Sequence, residues 1–169
     1  MRIIAGEFGG RVIDSPSERT TRPTTDRVRE SIFSSVYSRL PDLADVIVLD
    51  AFAGSGALGI EALSRGAKSA LFVDKRADAV KLVRENLALC HLEENAQVIC
   101  VTHLAQIAAM ADNHLFIVKK QENNKTYTAV HTLTKDARVR EIARIIGGDD
   151  ITPLKLKMAE EMLSRPHES

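Results

Sequence analysis

The chain has 169 residues, 44% of them hydrophobic, and its 23 Lys and Arg offset 23 Asp and Glu. That length can bury one full core, and the zero balance gives no indication of an anionic partner. Two cysteines, Cys90 and Cys100, make neither a disulfide framework nor a metal site. With no signal-peptide pattern and no apolar run near the ~18 residues of a membrane span, the expectation is a cytoplasmic monomer without metal or membrane.

Residues 1–13 read as a hairpin, Arg2-Ile3-Ile4-Ala5 and Arg11-Val12-Ile13 around a Gly-rich loop. Residues 15–21 are polar and loop-like. Thr24-Thr25-Asp26 then offers a helix N-cap, with Val28, Ile32, Phe33, Val36 and Leu40 at helical spacing and Pro41 beyond. Strand and helix alternate from there: a buried strand over 46–51, a helix over Ala57–Ser64 and a strand over 69–73 ending in Asp74. A helix over 77–89 and a strand over 97–102 complete the run, which predicts right-handed βαβ units and a parallel sheet.

Beyond Thr102 the character changes. Residues 104–111 form a short apolar helix-like run, and 115–118 a strand followed by the charged turn 119–125. Residues 126–133 alternate Tyr127, Ala129, His131 and Leu133 on one side, which suits an antiparallel partner for 115–118. Helices are expected over 136–146, closed by Gly147-Gly148, and from Thr152-Pro153 to Leu163, with a frayed tail over 164–169. There is no internal repeat.

The stretch Leu49-Asp50-Ala51-Phe52-Ala53-Gly54-Ser55-Gly56-Ala57-Leu58-Gly59 carries the chemistry. Gly54 and Gly56 let backbone approach a ligand, and a helix start offers N–H groups. Asp74, ending the next strand, is placed to accept both hydroxyls of a ribose. No Gly-Lys-Ser/Thr occurs, so a phosphate-cradling Walker loop is excluded. Turn and acid together point to a nucleoside cofactor. Arg19, Arg22, Arg27 and Arg29, among Glu18, Asp26 and Glu30, read from residues alone as a solvated helix face.

Three stretches, Met1-Arg2-Ile3-Ile4-Ala5-Gly6-Glu7, Thr21-Arg22-Pro23-Thr24-Thr25-Asp26-Arg27-Val28-Arg29-Glu30 and the one from Leu49 to Gly59, resemble the RsmD family. The likeness continues in Asp74-Lys75 and Arg84-Glu85-Asn86-Leu87 and covers about residues 1–97. That family methylates the exocyclic amine (N2) of a guanine in small-subunit ribosomal RNA with S-adenosylmethionine. The resemblance implies a Rossmann-like α/β methyltransferase sheet with an N-terminal hairpin and helix. It implies cofactor contacts at Asp50, Phe52, Ala53, Gly54, Ser55, Gly56, Gly59, Asp74 and Lys75. Arg22, Thr24, Arg27 and Arg29 would lie beside the cofactor or the RNA of the small ribosomal subunit.

Amino-methyltransferases of this class resemble one another in an Asn/Asp-Pro-Pro-Tyr/Phe stretch after the fourth strand. Its polar groups orient the amine lone pair and its ring stacks on the base. Here the fourth strand runs into Lys119-Lys120-Gln121-Glu122-Asn123-Asn124, and the chain has no Pro-Pro pair. No catalytic residue is therefore assigned.

The second half resembles the C-terminal end of the DNA repair ATPase RecN. The likeness lies in the stretch Ala96-Gln97-Val98-Ile99-Cys100-Val101-Thr102-His103, in Ala137-Arg138-Val139-Arg140-Glu141 and in Gly147-Gly148-Asp149-Asp150, and it covers about residues 96–163. It implies a γ-phosphate-sensing role for His103, yet the Walker and signature motifs of that family are missing. The chain thus reads as a hybrid, 1–97 methyltransferase-like and 98–169 RecN-like, packed as one domain and joined near 94–100. A rearranged gene and an assembly artefact both explain such a join. The expected outcome is an inactive methyltransferase, the alternative a nucleotide-binding fragment.

Overall fold

Strands β1 (Ile47–Asp50), β2 (Ser69–Asp74) and β3 (Ala96–Cys100) form a parallel sheet in that order. The structure is a computed structural model and describes residues 1–15, 24–122 and 125–164. Register pairs Leu49 with Leu71 and Asp50 with Phe72, then Phe72 with Val98 and Asp74 with Cys100. Before β1 comes helix α1 (Asp26–Tyr37), capped by Thr25, whose hydroxyl accepts from the Val28 N–H at 3.4 Å. The strands are joined by α2 (Ala57–Ser64) and α3 (Ala77–Cys90). Both crossovers run the same way along the sheet, so right-handed connections put both helices on one face.

That face holds the core of the first compact unit, Met1–Val101. Phe72 and Ala70 pack with Ile60, Val83, Leu87 and, from α1, Phe33. Gly59 is required here, because a Cβ on it would stand 2.3 Å from the Phe72 ring. The buried face of α3 recurs as Ala79, Val83, Asn86, Leu87 and Cys90, an amphipathic stripe with one polar member. The helix closes when His91 turns left-handed (φ 56°) and Leu92 N–H reaches the Leu87 carbonyl at 3.0 Å. The opposite sheet face keeps Ile47 71% and Leu49 62% exposed, and β1 is an edge strand.

The N-terminal hairpin is smaller than expected: one antiparallel bridge, Arg2 to Val12, rather than two strands. The N–H groups of Ile3, Gly10 and Ile13 still bond across the hairpin, while those of Ile4, Ala5, Glu7 and Phe8 bond to α2. The fully buried Glu61 accepts from Ile4 N–H (2.8 Å), Ala5 N–H (3.0 Å) and Arg65 Nε (2.8 Å). Ser64 Oγ donates to the Ala5 carbonyl at 2.7 Å and accepts from Phe8 N–H at 3.0 Å. Helix α1 stops at Tyr37, short of Leu40, where Ser34, Ser35 and Ser38 hydroxyls bond back to main-chain carbonyls.

The second unit, Thr102–Ser169, contains α4 (Ala105–Ala109), β4 (Leu115–Glu122), β5 (Lys125–Thr132), α5 (Lys135–Gly147) and α6 (Pro153–Ser164). β4 and β5 pair antiparallel as expected, Leu115 opposite Thr132. The ladder extends to Glu122 and Lys125 and absorbs most of the charged turn. A two-stranded sheet can take polar residues there, since both of its faces reach water. Ile142, Ala143, Ala105, Ala108 and Ala159 bring α4, α5 and α6 together. Arg138 Nη2 donates to the carbonyls of Ala108 (3.1 Å), Ala109 (3.0 Å) and Ala111, closing the end of α4. Among the described residues no helix is long and apolar enough to cross a membrane, and none of their acid, His and Cys side chains cluster to hold a metal.

Candidate functional site

At the carboxyl ends of β1 and β2 the turn 51–56, the start of α2 and the Asp74–Arg76 corner meet. Gly54 (φ 56°) and Gly56 (φ 77°) are left-handed, which turns the chain sharply enough to enter α2 at Ala57. Asp74 fixes the turn from the neighbouring strand. Its Oδ2 accepts from Gly54 N–H at 3.0 Å and its Oδ1 from Arg76 N–H at 2.9 Å. A carboxylate offers about four acceptor positions, so capacity remains for two ligand hydroxyls.

The nine residues expected at the cofactor divide into two groups. Phe52 is 94% exposed at the tip of the turn, Gly54 and Asp74 are partly exposed, and Lys75 is exposed. Asp50, Ala53, Ser55, Gly56 and Gly59 are buried. They shape the turn from beneath. Asp50 Oδ2 accepts from Gly59 N–H at 3.1 Å, so it caps the first turn of α2 across the loop. Burial pushes the Asp50 carboxyl above its ordinary range, the Gly59 N–H draws it back, and nearby Asp74 adds to the rise.

A Cβ on Gly56 would meet Ile60, Val83 and Phe72 at 3.3–3.4 Å, so this glycine serves the core beneath the turn. A Cβ on Gly54 would meet nothing nearer than the Phe52 carbonyl at 4.0 Å. The outer side of the turn is therefore open, and the acceptor capacity left on Asp74 fits the hydroxyls of a ribose.

Of the expected RNA residues that are described, Arg29 does not share the surface of Thr24 and Arg27. Arg29 is fully buried, donating through Nη2 to the Arg2 carbonyl (2.6 Å) and Asp26 Oδ1 (2.7 Å). It ties α1 to the N-terminal segment and presents nothing to a phosphate. Arg27 is exposed and Thr24 partly so. Arg22 lies outside the described residues, as do most of the loop 15–21 and the tail from 165. His103 is exposed between β3 and α4. Sequence reasoning missed Glu61 and Asn86, two fully buried polar side chains. Their signal was a polar residue inside an apolar helical stripe.

An open sheet with a Gly-rich turn after one strand and an acid after the next defines the Rossmann-like, nucleoside-binding class of α/β folds. The family described as Conserved hypothetical protein 95 matches residues 1–119, and the chain belongs to it. That match continues through most of β4, past residue 97 where the likeness in the sequence stopped. Ribosomal RNA small subunit methyltransferase D of Escherichia coli (strain K12) is 47% identical over 89 residues, 52% of this chain and 43% of that protein. A solved structure of a hypothetical protein from Thermus thermophilus superposes with a TM-score of 0.52 at 35% identity, over 60% of this chain and 56% of that one. DNA repair protein RecN of Bacillus subtilis (strain 168) is 46% identical over 70 residues, 41% of this chain and 12% of RecN. The chain spans about half the length of the curated methyltransferase relatives it matches.

Proposed function

We propose that the N-terminal unit binds S-adenosylmethionine and derives from an RsmD-type enzyme that methylates a guanine N2 of small-subunit ribosomal RNA. The observation that carries this reading is Asp74, which pins the Gly54 turn by one oxygen while keeping acceptor capacity for a ribose. The bound cofactor would supply an electrophilic methyl group. Asp74 would hold its ribose, and Gly54 and the exposed Phe52 would flank its methionine part. Asp50, Ser55, Gly56 and Gly59 would keep the turn in shape, Lys75 would border the nucleoside, and Arg27 would meet RNA phosphate. The relatives' names support the class of substrate.

Transfer itself needs a group to orient the target amine, and the Asn/Asp-Pro-Pro-Tyr/Phe stretch that does so in the family does not occur in this sequence. The protein thus binds cofactor without turnover, as a cytoplasmic monomer. Titration calorimetry should show S-adenosylmethionine binding that is lost in Asp74→Ala, a variant that still melts cooperatively although it loses the bonds to Gly54 and Arg76 N–H. No heat at millimolar cofactor removes the binding reading, and methyl transfer to small ribosomal subunits overturns the inactivity.

The likeness to RecN favours a second reading. Residues 98–169 would be a RecN-like segment fused to a methyltransferase half, with the RecN-like motifs and the family match overlapping between 96 and 119. ATP hydrolysis abolished by His103→Ala would support a nucleotide-binding fragment, and failure to bind ATP would sink it. Independent sequencing of the gene across codons 94–119 tests the fusion.

A further inference from the structure

Asn86 stands on the buried face of α3, one turn from Val83 and Cys90 and beside Leu87, where a leucine would serve the core alone. An amide there is costly unless its donors and acceptors are matched. They are, and by two pieces of chain remote from each other in sequence. Asn86 Oδ1 accepts from Asp14 N–H at 2.7 Å. Its Nδ2 donates to the Asp14 carbonyl at 3.1 Å and to the Ser55 carbonyl at 2.9 Å. Both amide hydrogens are used, one on each segment.

Ser55 lies between Gly54 and Gly56, at the centre of the turn. Its carbonyl shares a rigid peptide plane with Gly56 N–H, which donates to the Ala53 carbonyl at 2.7 Å. Fixing the Ser55 carbonyl therefore fixes the plane through which the turn enters α2. Asp74 grips the turn at Gly54 and Asn86 grips it one residue further on. Asp14 is the far end of the same clamp, and in sequence it leads towards Arg22 and Arg27.

We infer that Asn86 is a positioning residue that couples the cofactor turn at Ser55 to the chain at Asp14. Filling the cofactor site and holding the chain at Asp14 are then one event. The inference rests on the S-adenosylmethionine reading of the turn. Because coupling is reciprocal, it is tested from both ends in the intact chain. With saturating S-adenosylmethionine, hydrogen exchange of the Asp14 amide should slow about tenfold, within the usual range of site-to-site coupling. Asp14→Pro deletes the N–H that Asn86 Oδ1 accepts and touches neither the turn nor the cofactor. It should weaken cofactor binding about tenfold by calorimetry, read well below a melting temperature that itself falls because the buried Asn86 Oδ1 loses its donor. Asn86→Ala should weaken it further if it folds.

An Asp14 amide whose exchange ignores bound cofactor, or an Asp14→Pro variant of parental affinity, overturns the coupling and leaves the cofactor site intact. Absence of cofactor binding by the parent chain removes both. A purely structural Asn86 would lower the melting temperature on substitution but would not make Asp14 exchange respond to ligand.

Discussion

Asp50 looks in the sequence like a ligand contact and is a brace. The residue is 9% exposed and its carboxylate accepts from Gly59 N–H, so it holds the turn from beneath. Its raised carboxyl pKa has a consequence for stability. The folded chain holds the proton at pH values where the unfolded chain has released it, so the stability from Asp50 is full at low pH. It is lost as pH rises through the raised folded value. Asp50→Asn can still accept from Gly59 N–H and has no such titration. Its urea midpoint should therefore improve relative to the parent as pH goes from about 4 to about 7. A constant difference across that range would contradict the assignment. At this scale the sequence is legible where a residue type has one use: Gly54, Gly56 and Asp74 fit a turn and an acid at a strand end. It is not legible where one residue type serves opposite ends. Arg29 has the composition of a phosphate contact and the burial of a core residue, because Asp26 and the Arg2 carbonyl take its hydrogen bonds.

The elements themselves were readable where periodicity is long. Helix α2 has the predicted limits and α3 gains one residue, because a sustained helical spacing of apolar residues overrides local ambiguity. The N-terminal segment was not readable in this way. Glycines between short apolar runs suggest a hairpin, whereas Gly6 is there to let the chain lie against α2. Its φ is +87°, and a Cβ would stand 1.9 Å from the Ser64 carbonyl oxygen. Gly10 has a similar φ, +88°, with nothing within 4 Å. Gly6→Ala should accordingly destabilise the chain by about 2 kcal/mol or more, and Gly10→Ala by about 1 kcal/mol, the cost of left-handed strain alone. Paired thermal melts check the difference; equal losses would mean that the contact with α2 contributes nothing.

Among the described residues of the molecule there are two cores that share no residue, one under the three-stranded sheet and one among α4, α5 and α6. Scanning calorimetry should therefore resolve two transitions. They are separable by pH. Burial lowers the pKa of His114 and the Arg138 guanidinium adds to the effect, with Glu141 opposing it. The unfolded chain takes up the proton first, so stability present above the ordinary histidine value of about 6.5 is lost as pH falls below it. Acidification from about pH 7.5 to about pH 5.5 should lower the second unit's transition, and His114→Phe should remove that part of the shift. A single transition, or one that moves identically in the variant, would count against this division.

The first unit draws every contact of its core from residues Met1–Val101, a continuous stretch that ends before the second unit begins. A ribosome adding about 5–20 residues per second needs several seconds to make the remainder, far longer than local sheet and helix formation takes. The turn with Asp74 can therefore close while the chain is still being translated. Ile47 and Leu49 on the bare face of β1 meet the cell at that same stage. Whatever engages nascent apolar surface would find a half-synthesised protein whose Gly54 turn and Asp74 corner are already in place.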